Sequence, residues 1–168
     1  MAQEKILVID DELFVRELLQ EFLSKEGYNV YLAESGEKAI DLIKANPVEI
    51  ALIDLKMPGM DGISTLKEIK KIAPETIAVI LTGYPTIESS VEALRSGAYD
   101  YVVKPFKLND LKNTIEKALN EYRLKSEIGE LRKKIQTLEE QLKEYQKAGK
   151  KLPSEKNINQ VGGENPQK

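Results

Sequence analysis

The chain contains no histidine, no cysteine and no tryptophan. Without cysteine there is no disulfide, no thiolate nucleophile and no zinc-thiolate site. Without histidine there is no Ser-His-Asp triad, no imidazole base and no histidine metal ligand. The chain also cannot carry a phosphohistidine. Any chemistry falls to carboxylates, lysine, tyrosine, hydroxyls or a hard metal ion. No apolar run approaches the roughly 18 residues of a membrane helix. Met1-Ala2-Gln3-Glu4-Lys5 leads into a short apolar segment without a cleavable signal pattern. Charge of one sign is scarcely in excess, with 25 Lys plus Arg against 28 Asp plus Glu, so no basic footprint points to nucleic acid. The expectation is a cytoplasmic protein with no membrane contact and no direct nucleic-acid binding. The 168 residues, 41% hydrophobic and 32% charged, suffice for one ordinary domain and an extension.

What is present is a repeated rhythm of short β-branched run, helical stretch and breaker. Ile6-Leu7-Val8-Ile9, Ile50-Ala51-Leu52-Ile53 and Ile77-Ala78-Val79-Ile80-Leu81 are continuous apolar runs of the kind buried parallel strands show. Asn29-Val30-Tyr31-Leu32 alternates and suits an edge strand, and Tyr101-Val102-Val103 makes a fifth strand. Between them, helical spacing marks Leu13, Phe14, Leu18, Leu19, Phe22 and Leu23, with Gly27 as the stop. Ala39, Ile40 and Ile43 follow a Ser35 cap; Ile63, Leu66, Ile69 and Ile72 follow Gly62; Thr86 to Ser96 ends at Gly97. A fifth helix begins near Leu108 with Leu111, Ile115, Ala118 and Leu119. Five β-α units with right-handed crossovers predict a doubly wound parallel α/β sheet.

After Leu119 the period changes. Leu124, Ile128, Leu131, Ile135, Leu138, Leu142 and Tyr145 follow one another in steps of four and three. That is a heptad seam with Ile128, Ile135 and Leu142 at a and Leu124, Leu131, Leu138 and Tyr145 at d. The fifth helix is therefore expected to extend into a coiled coil that forms a parallel homodimer. From Ala148 onward glycine and proline break the period and no aromatic remains, which predicts a disordered tail.

In a doubly wound sheet ligands bind beyond the carboxyl ends of the strands. Those ends carry Asp10-Asp11-Glu12, Asp54, Thr82-Gly83 and Lys104-Pro105. Carboxylates crowded on one rim repel unless a cation intervenes. Oxygen donors select a hard ion, Mg2+ with Mn2+ as a substitute. Lys104 and Thr82 suit phosphoryl oxygens, and an aspartate can itself be the nucleophile that forms an acyl phosphate. Singly, each residue reads as a helix cap or a solvated charge; caps do not require Lys and Thr opposite them.

Val8-Ile9-Asp10-Asp11-Glu12, Leu52-Ile53-Asp54-Leu55-Lys56-Met57-Pro58-Gly59-Met60-Asp61-Gly62, Leu81-Thr82-Gly83 and Val103-Lys104-Pro105-Phe106 resemble the receiver domain of bacterial two-component response regulators. The likeness covers about residues 4 to 122. It implies a flavodoxin-like (βα)5 fold of strand order 2-1-3-4-5. It implies a phosphoacceptor, not an enzyme in the ordinary sense, that catalyses its own phosphorylation by a sensor histidine kinase and slowly loses the group again. By position, Asp54 is the phosphorylation site. Asp11 holds Mg2+ directly, with Asp10, Asp54 and the carbonyl of Lys56. Thr82 and Lys104 hold the phosphoryl oxygens, and Thr82 and Tyr101 form the switch. The Lys104-Pro105 bond is implied to be cis, where sequence alone presumes trans.

Leu81-Thr82-Gly83-Tyr84-Pro85-Thr86 and Gly97-Ala98-Tyr99-Asp100-Tyr101 are similar to receivers of the nitrogen-regulator class of enhancer-binding activators, in which a helical linker leads to an ATPase. These 168 residues hold no G-x-x-x-x-G-K-[ST] phosphate loop. The expected division is a receiver over 1–122, a coiled-coil extension over 123–147 and a tail over 148–168. The alternative is a receiver plus linker from a longer activator. A flavin module would need a Gly- or hydroxyl-rich loop where Asp10-Asp11-Glu12 stands, and an aspartyl phosphatase of the haloacid-dehalogenase type would want D-x-D there. A reading in which the α/β domain is only a scaffold for the coiled coil leaves the polar rim without a purpose.

Overall fold

A computed structural model of the chain describes residues 3–149. Strands and helices alternate: β1 (Lys5–Ile9), α1 (Leu13–Lys25), β2 (Asn29–Ala33), α2 (Gly36–Ala45), β3 (Ile50–Asp54), α3 (Gly62–Ile72), β4 (Ile77–Thr82), α4 (Ile87–Arg95), β5 (Asp100–Val103) and α5 (Leu108–Lys147). All pairings are parallel, and the sheet order is β2-β1-β3-β4-β5. The fold is the flavodoxin-like one expected from the sequence, with β2 on an edge. Lys104-Pro105 is cis.

The pleat sends alternate strand residues to opposite faces. Leu7, Ile9, Ala51, Ile53, Ala78 and Ile80 build one core with Ala39, Ile43, Leu66, Ile69 and Ala93 of α2, α3 and α4. Ile6, Val8, Ile50, Leu52, Ile77, Val79 and Leu81 build the other with Leu19, Leu23, Leu111, Ile115, Ala118 and Leu119 of α1 and α5. Covering both faces is what lets the three central strands be apolar without alternation. Side chains start the middle helices: Ser35, Asp61 and Thr86 accept the backbone N–H groups of Lys38, Ser64 and Ser89. Gly27 and Gly97 follow α1 and α4 at φ +93° and +96°, a conformation open to glycine.

The helical apolar sets are not all core. Leu13, Phe14 and Leu18 are exposed, Phe14 by 74%. The buried stripe of α1 is Arg16, Leu19 and Leu23. At about 100° per residue Phe14 and Leu18 fall on the opposite side of the helix. Ile72 likewise ends α3 in solvent.

Contacts divide the chain into one compact unit through Ser126 and a second from Glu127. Over the described part of the second unit every seam residue is exposed: Ile128, Leu131, Ile135, Leu138, Leu142 and Tyr145; Leu124, in the first unit, is exposed as well. α5 ends at Lys147, where the apolar period ends, and Ala148 and Gly149 form a turn. From residue 150 on, the expected tail lies outside the described residues.

Candidate functional site

Parallel pairing brings the polar strand ends to one rim. β3 stands in register with β4, Asp54 opposite Leu81, and β4 with β5, Thr82 opposite Val103. The Lys104 amide donates to the Thr82 carbonyl at 2.7 Å, which fixes where Lys104 leaves the sheet. Its ammonium donates to Asp10 Oδ2 at 2.7 Å and to Asp54 Oδ1 at 3.1 Å. Asp10 is 1% and Asp54 7% exposed. The other Asp10 oxygen, Oδ1, accepts the Glu12 amide at 2.9 Å. Asp11 is exposed, yet one oxygen from each of Asp10, Asp11 and Asp54 lies within 4.8 Å of the others.

Burial pushes the Asp54 carboxyl above the usual range; Lys104 opposes this, while Asp10 and Asp11 add to it. For Lys104, burial acts to lower the ammonium, but the hydrogen bond and charge of Asp10, with Asp54, outweigh it and raise it. The cluster thus holds more carboxylate than its own ammonium satisfies. Its donors are all oxygen and partly open, which fits a hard divalent cation, with Asp10, Asp11 and Asp54 as the side chains that would hold it.

The remaining expected residues are placed less directly. Thr82 is buried, and its hydroxyl accepts the Tyr84 amide at 3.1 Å. The Lys56 ammonium lies 4.6 Å from the centre of the Tyr84 ring, a cation–π contact at the edge of the site. Tyr101 is half-buried, packs against the α2/α3/α4 core and shares a 2.8 Å hydrogen bond with Ser89. Asp61 stands outside the cluster as the α3 cap.

Two further residues shape the rim. Arg16, which reads in the sequence as an ordinary polar position of α1, is 9% exposed and donates to the carbonyls of Asp10 and Asp11. Gly62 packs against the backbone of Asp54 itself. A Cβ there would stand 2.3 Å from the Asp54 carbonyl oxygen and 2.7 Å from Leu55 Cα. Alanine gains at most about 1 kcal/mol of helix propensity, but overpacking against backbone costs roughly 1–3 kcal/mol. Gly62→Ala should therefore lower the urea midpoint with an unchanged slope. An unchanged midpoint would show that the β3–α3 junction yields freely.

No helix among the described residues is long and apolar enough to cross a membrane. The family model for the response regulator receiver domain matches residues 6–116. The transcriptional regulatory protein ZraR of Escherichia coli K12 is 45% identical over 114 residues, 68% of this chain and 26% of that protein. The sporulation initiation phosphotransferase F of Bacillus subtilis is 36% identical over 119 residues, 71% of this chain and 96% of that protein. A crystal structure of NtrX from Brucella abortus superposes with a TM-score of 0.72 at 37% identity, covering 77% of this chain and 30% of that one. The chain thus spans about a quarter of the length of ZraR, and these matches agree with the likeness to receivers of the nitrogen-regulator class. With this sheet order, this rim of acids around one lysine and these relatives, the chain belongs to the response regulator receiver domain family.

Proposed function

We propose that Asp54 is the phosphoacceptor of a two-component relay and takes its phosphoryl group from the phosphohistidine of a sensor kinase. One observation carries the reading: the Lys104 ammonium bridges Asp10 and Asp54, with Asp11 beside them, at the carboxyl end of the sheet. A carboxylate oxygen of Asp54 forms the bond to phosphorus. The phosphorus–nitrogen bond of the donor breaks, and imidazole leaves with the electron pair. Lys104 donates to a phosphoryl oxygen, and so does the Thr82 hydroxyl, whose own proton is not needed for its bond from Tyr84. Asp10, Asp11, Asp54 and the Lys56 carbonyl would hold a Mg2+ or Mn2+ ion, which would neutralise charge on the carboxylates and the incoming phosphoryl group. Because the receiver aligns all these groups, a small donor such as acetyl phosphate suffices, and slow hydrolysis returns the carboxylate.

The phosphoryl group shifts the fold only through contacts that differ between its states. Those contacts are Thr82 and Lys104. Drawing Thr82 inward opens space for Tyr101 and breaks its bond to Ser89 at the start of α4. The output is association through the heptad seam over about residues 121–147, next to a receiver over 1–122. A second reading, a receiver and linker from a longer enhancer-binding activator, is supported by the ZraR match, which spans 26% of that protein.

Asp11→Ala is the sharpest test of the cation's part. The variant should keep the far-UV spectrum of the wild type and lose labelling by acetyl phosphate in Mg2+. Labelling at the wild-type rate would remove Asp11 from the site.

A further inference from the structure

The mechanism leaves one buried charge unused. Arg16 lies on the inner stripe of α1 with Leu19 and Leu23. An apolar side chain would fill that place without carrying a charge out of water. No acidic side chain pairs with it among the described residues. Instead Nη1 donates to the Asp10 carbonyl at 2.7 Å and to the Asp11 carbonyl at 3.0 Å. Glu34, whose carboxyl also feels Arg16, is bonded to Lys38 at 2.6 Å.

These two bonds set two peptide planes. In a planar trans peptide the C=O and the following N–H point in opposite directions. Turning the Asp11 carbonyl toward Arg16 therefore turns the Glu12 N–H away from it. That N–H is the group that donates to Asp10 Oδ1 at 2.9 Å. Turning the Asp10 carbonyl the same way sets the plane from which the Asp11 side chain departs. We infer that Arg16 is a positioning residue for the cation site: by anchoring the carbonyls of Asp10 and Asp11 it aims both carboxylates at the rim. It touches neither cation nor phosphoryl group. This inference rests on the cation reading of the Asp10, Asp11 and Asp54 cluster.

Charge and geometry predict opposite signs, and this makes the inference testable. As a bare positive charge, Arg16 would repel a divalent cation, and its removal would tighten binding. As an anchor, its removal frees the backbone of Asp10 and Asp11 and weakens binding. The experiment is Mn2+ titration of the apo 168-residue chain, with free Mn2+ read by electron paramagnetic resonance, for wild type, Arg16→Met and Arg16→Lys. Far-UV spectra and thermal midpoints are taken on the same samples, at a temperature where all three are folded. Arg16→Met should bind roughly 10- to 100-fold more weakly, the range found when a partner behind a metal ligand is lost. Arg16→Lys keeps the charge on a shorter side chain without the planar donor fork and should fall between. In Asp11→Asn the Arg16→Met change should lose part of its effect, since one of the two aimed carboxylates is gone. Unchanged or tighter Mn2+ binding by Arg16→Met, with only a lower midpoint, would overturn the inference and leave the cation reading standing. Absence of Mn2+ binding by the wild type would overturn both. If Arg16→Met does not fold, Arg16→Lys decides by the same criterion.

Discussion

Asp54→Asn should abolish phosphorylation. The wild type, incubated with acetyl phosphate and Mg2+, should gain the mass of one phosphoryl group in a hydroxylamine-labile bond; the variant should gain none. Asparagine keeps the size of the side chain but offers no anionic oxygen to phosphorus. The neighbouring acids do not replace it: Asp10 is 1% exposed and held through both oxygens, by Lys104 and by the Glu12 amide. A phosphoryl group appearing on the variant at the wild-type rate would move the acceptor elsewhere. The substitution also has a signed effect on stability. The Asp54 pKa is raised in the fold, chiefly by burial and despite Lys104. A raised carboxyl contributes stability below its unfolded pKa and loses that contribution as pH rises through the folded value. At pH values above the folded pKa the ionised carboxylate is thus a net liability. Asp54→Asn should raise the thermal midpoint of the apo protein there, and the gain should vanish below the ordinary carboxylate range. A lower midpoint at neutral pH would mean that the bond to Lys104 outweighs burial.

Leu131→Lys with Leu138→Lys should convert a dimer into a monomer. Both leucines are at d positions and more than half exposed in the single chain. Fully burying a leucine is worth about 1.5–3 kcal/mol, and the proposed dimer would bury four. Their loss, with four like charges brought together, weakens association by well over about 100-fold. The flanking charges suit the proposed parallel pairing, in which Glu127 at g would face Arg132 at e, and Lys134 would face Glu139. Sedimentation equilibrium at tens of micromolar chain should show a wild-type dimer and a monomeric variant. The variant should still accept phosphate on Asp54, since no seam residue contributes to the rim. A wild type that is monomeric, phosphorylated or not, would leave the seam without a partner of its own kind.

The strands were legible because burial on both faces leaves an unmistakable signature. Ile50-Ala51-Leu52-Ile53 has no polar break, and its β-branched ends stand between Asn46-Pro47 and Asp54. The rim was legible because the parallel sheet rule converts the carboxyl end of a strand into a place, and Asp54, which ends β3, meets Asp10 and Lys104, which directly follow β1 and β5, there. Periodicity was weaker on the helices. It cannot tell which of two apolar stripes on α1 meets the sheet, and Phe14 and Leu18 went to solvent. Arg16 was illegible for a different reason: its partners are backbone carbonyls, which carry no residue identity. Gly62 reads as a helix start, and only the approach of the Asp54 carbonyl shows why no Cβ fits.

The Lys104 bridge has a consequence for how the protein comes into being. Its two bonds close loops of 94 and 50 residues. Such non-local pairings form late, after their loop-closure entropy has been met. During synthesis the acids emerge well before their counter-ion, so a nascent or truncated chain lacking β5 carries Asp10, Asp11 and Asp54 unneutralised. If Asp54 is the acceptor, phosphate competence is a property of the finished topology and not of any fragment of it. A chain that accepts phosphate has proved, by that act, that its first strand and its fifth have found their places in one sheet.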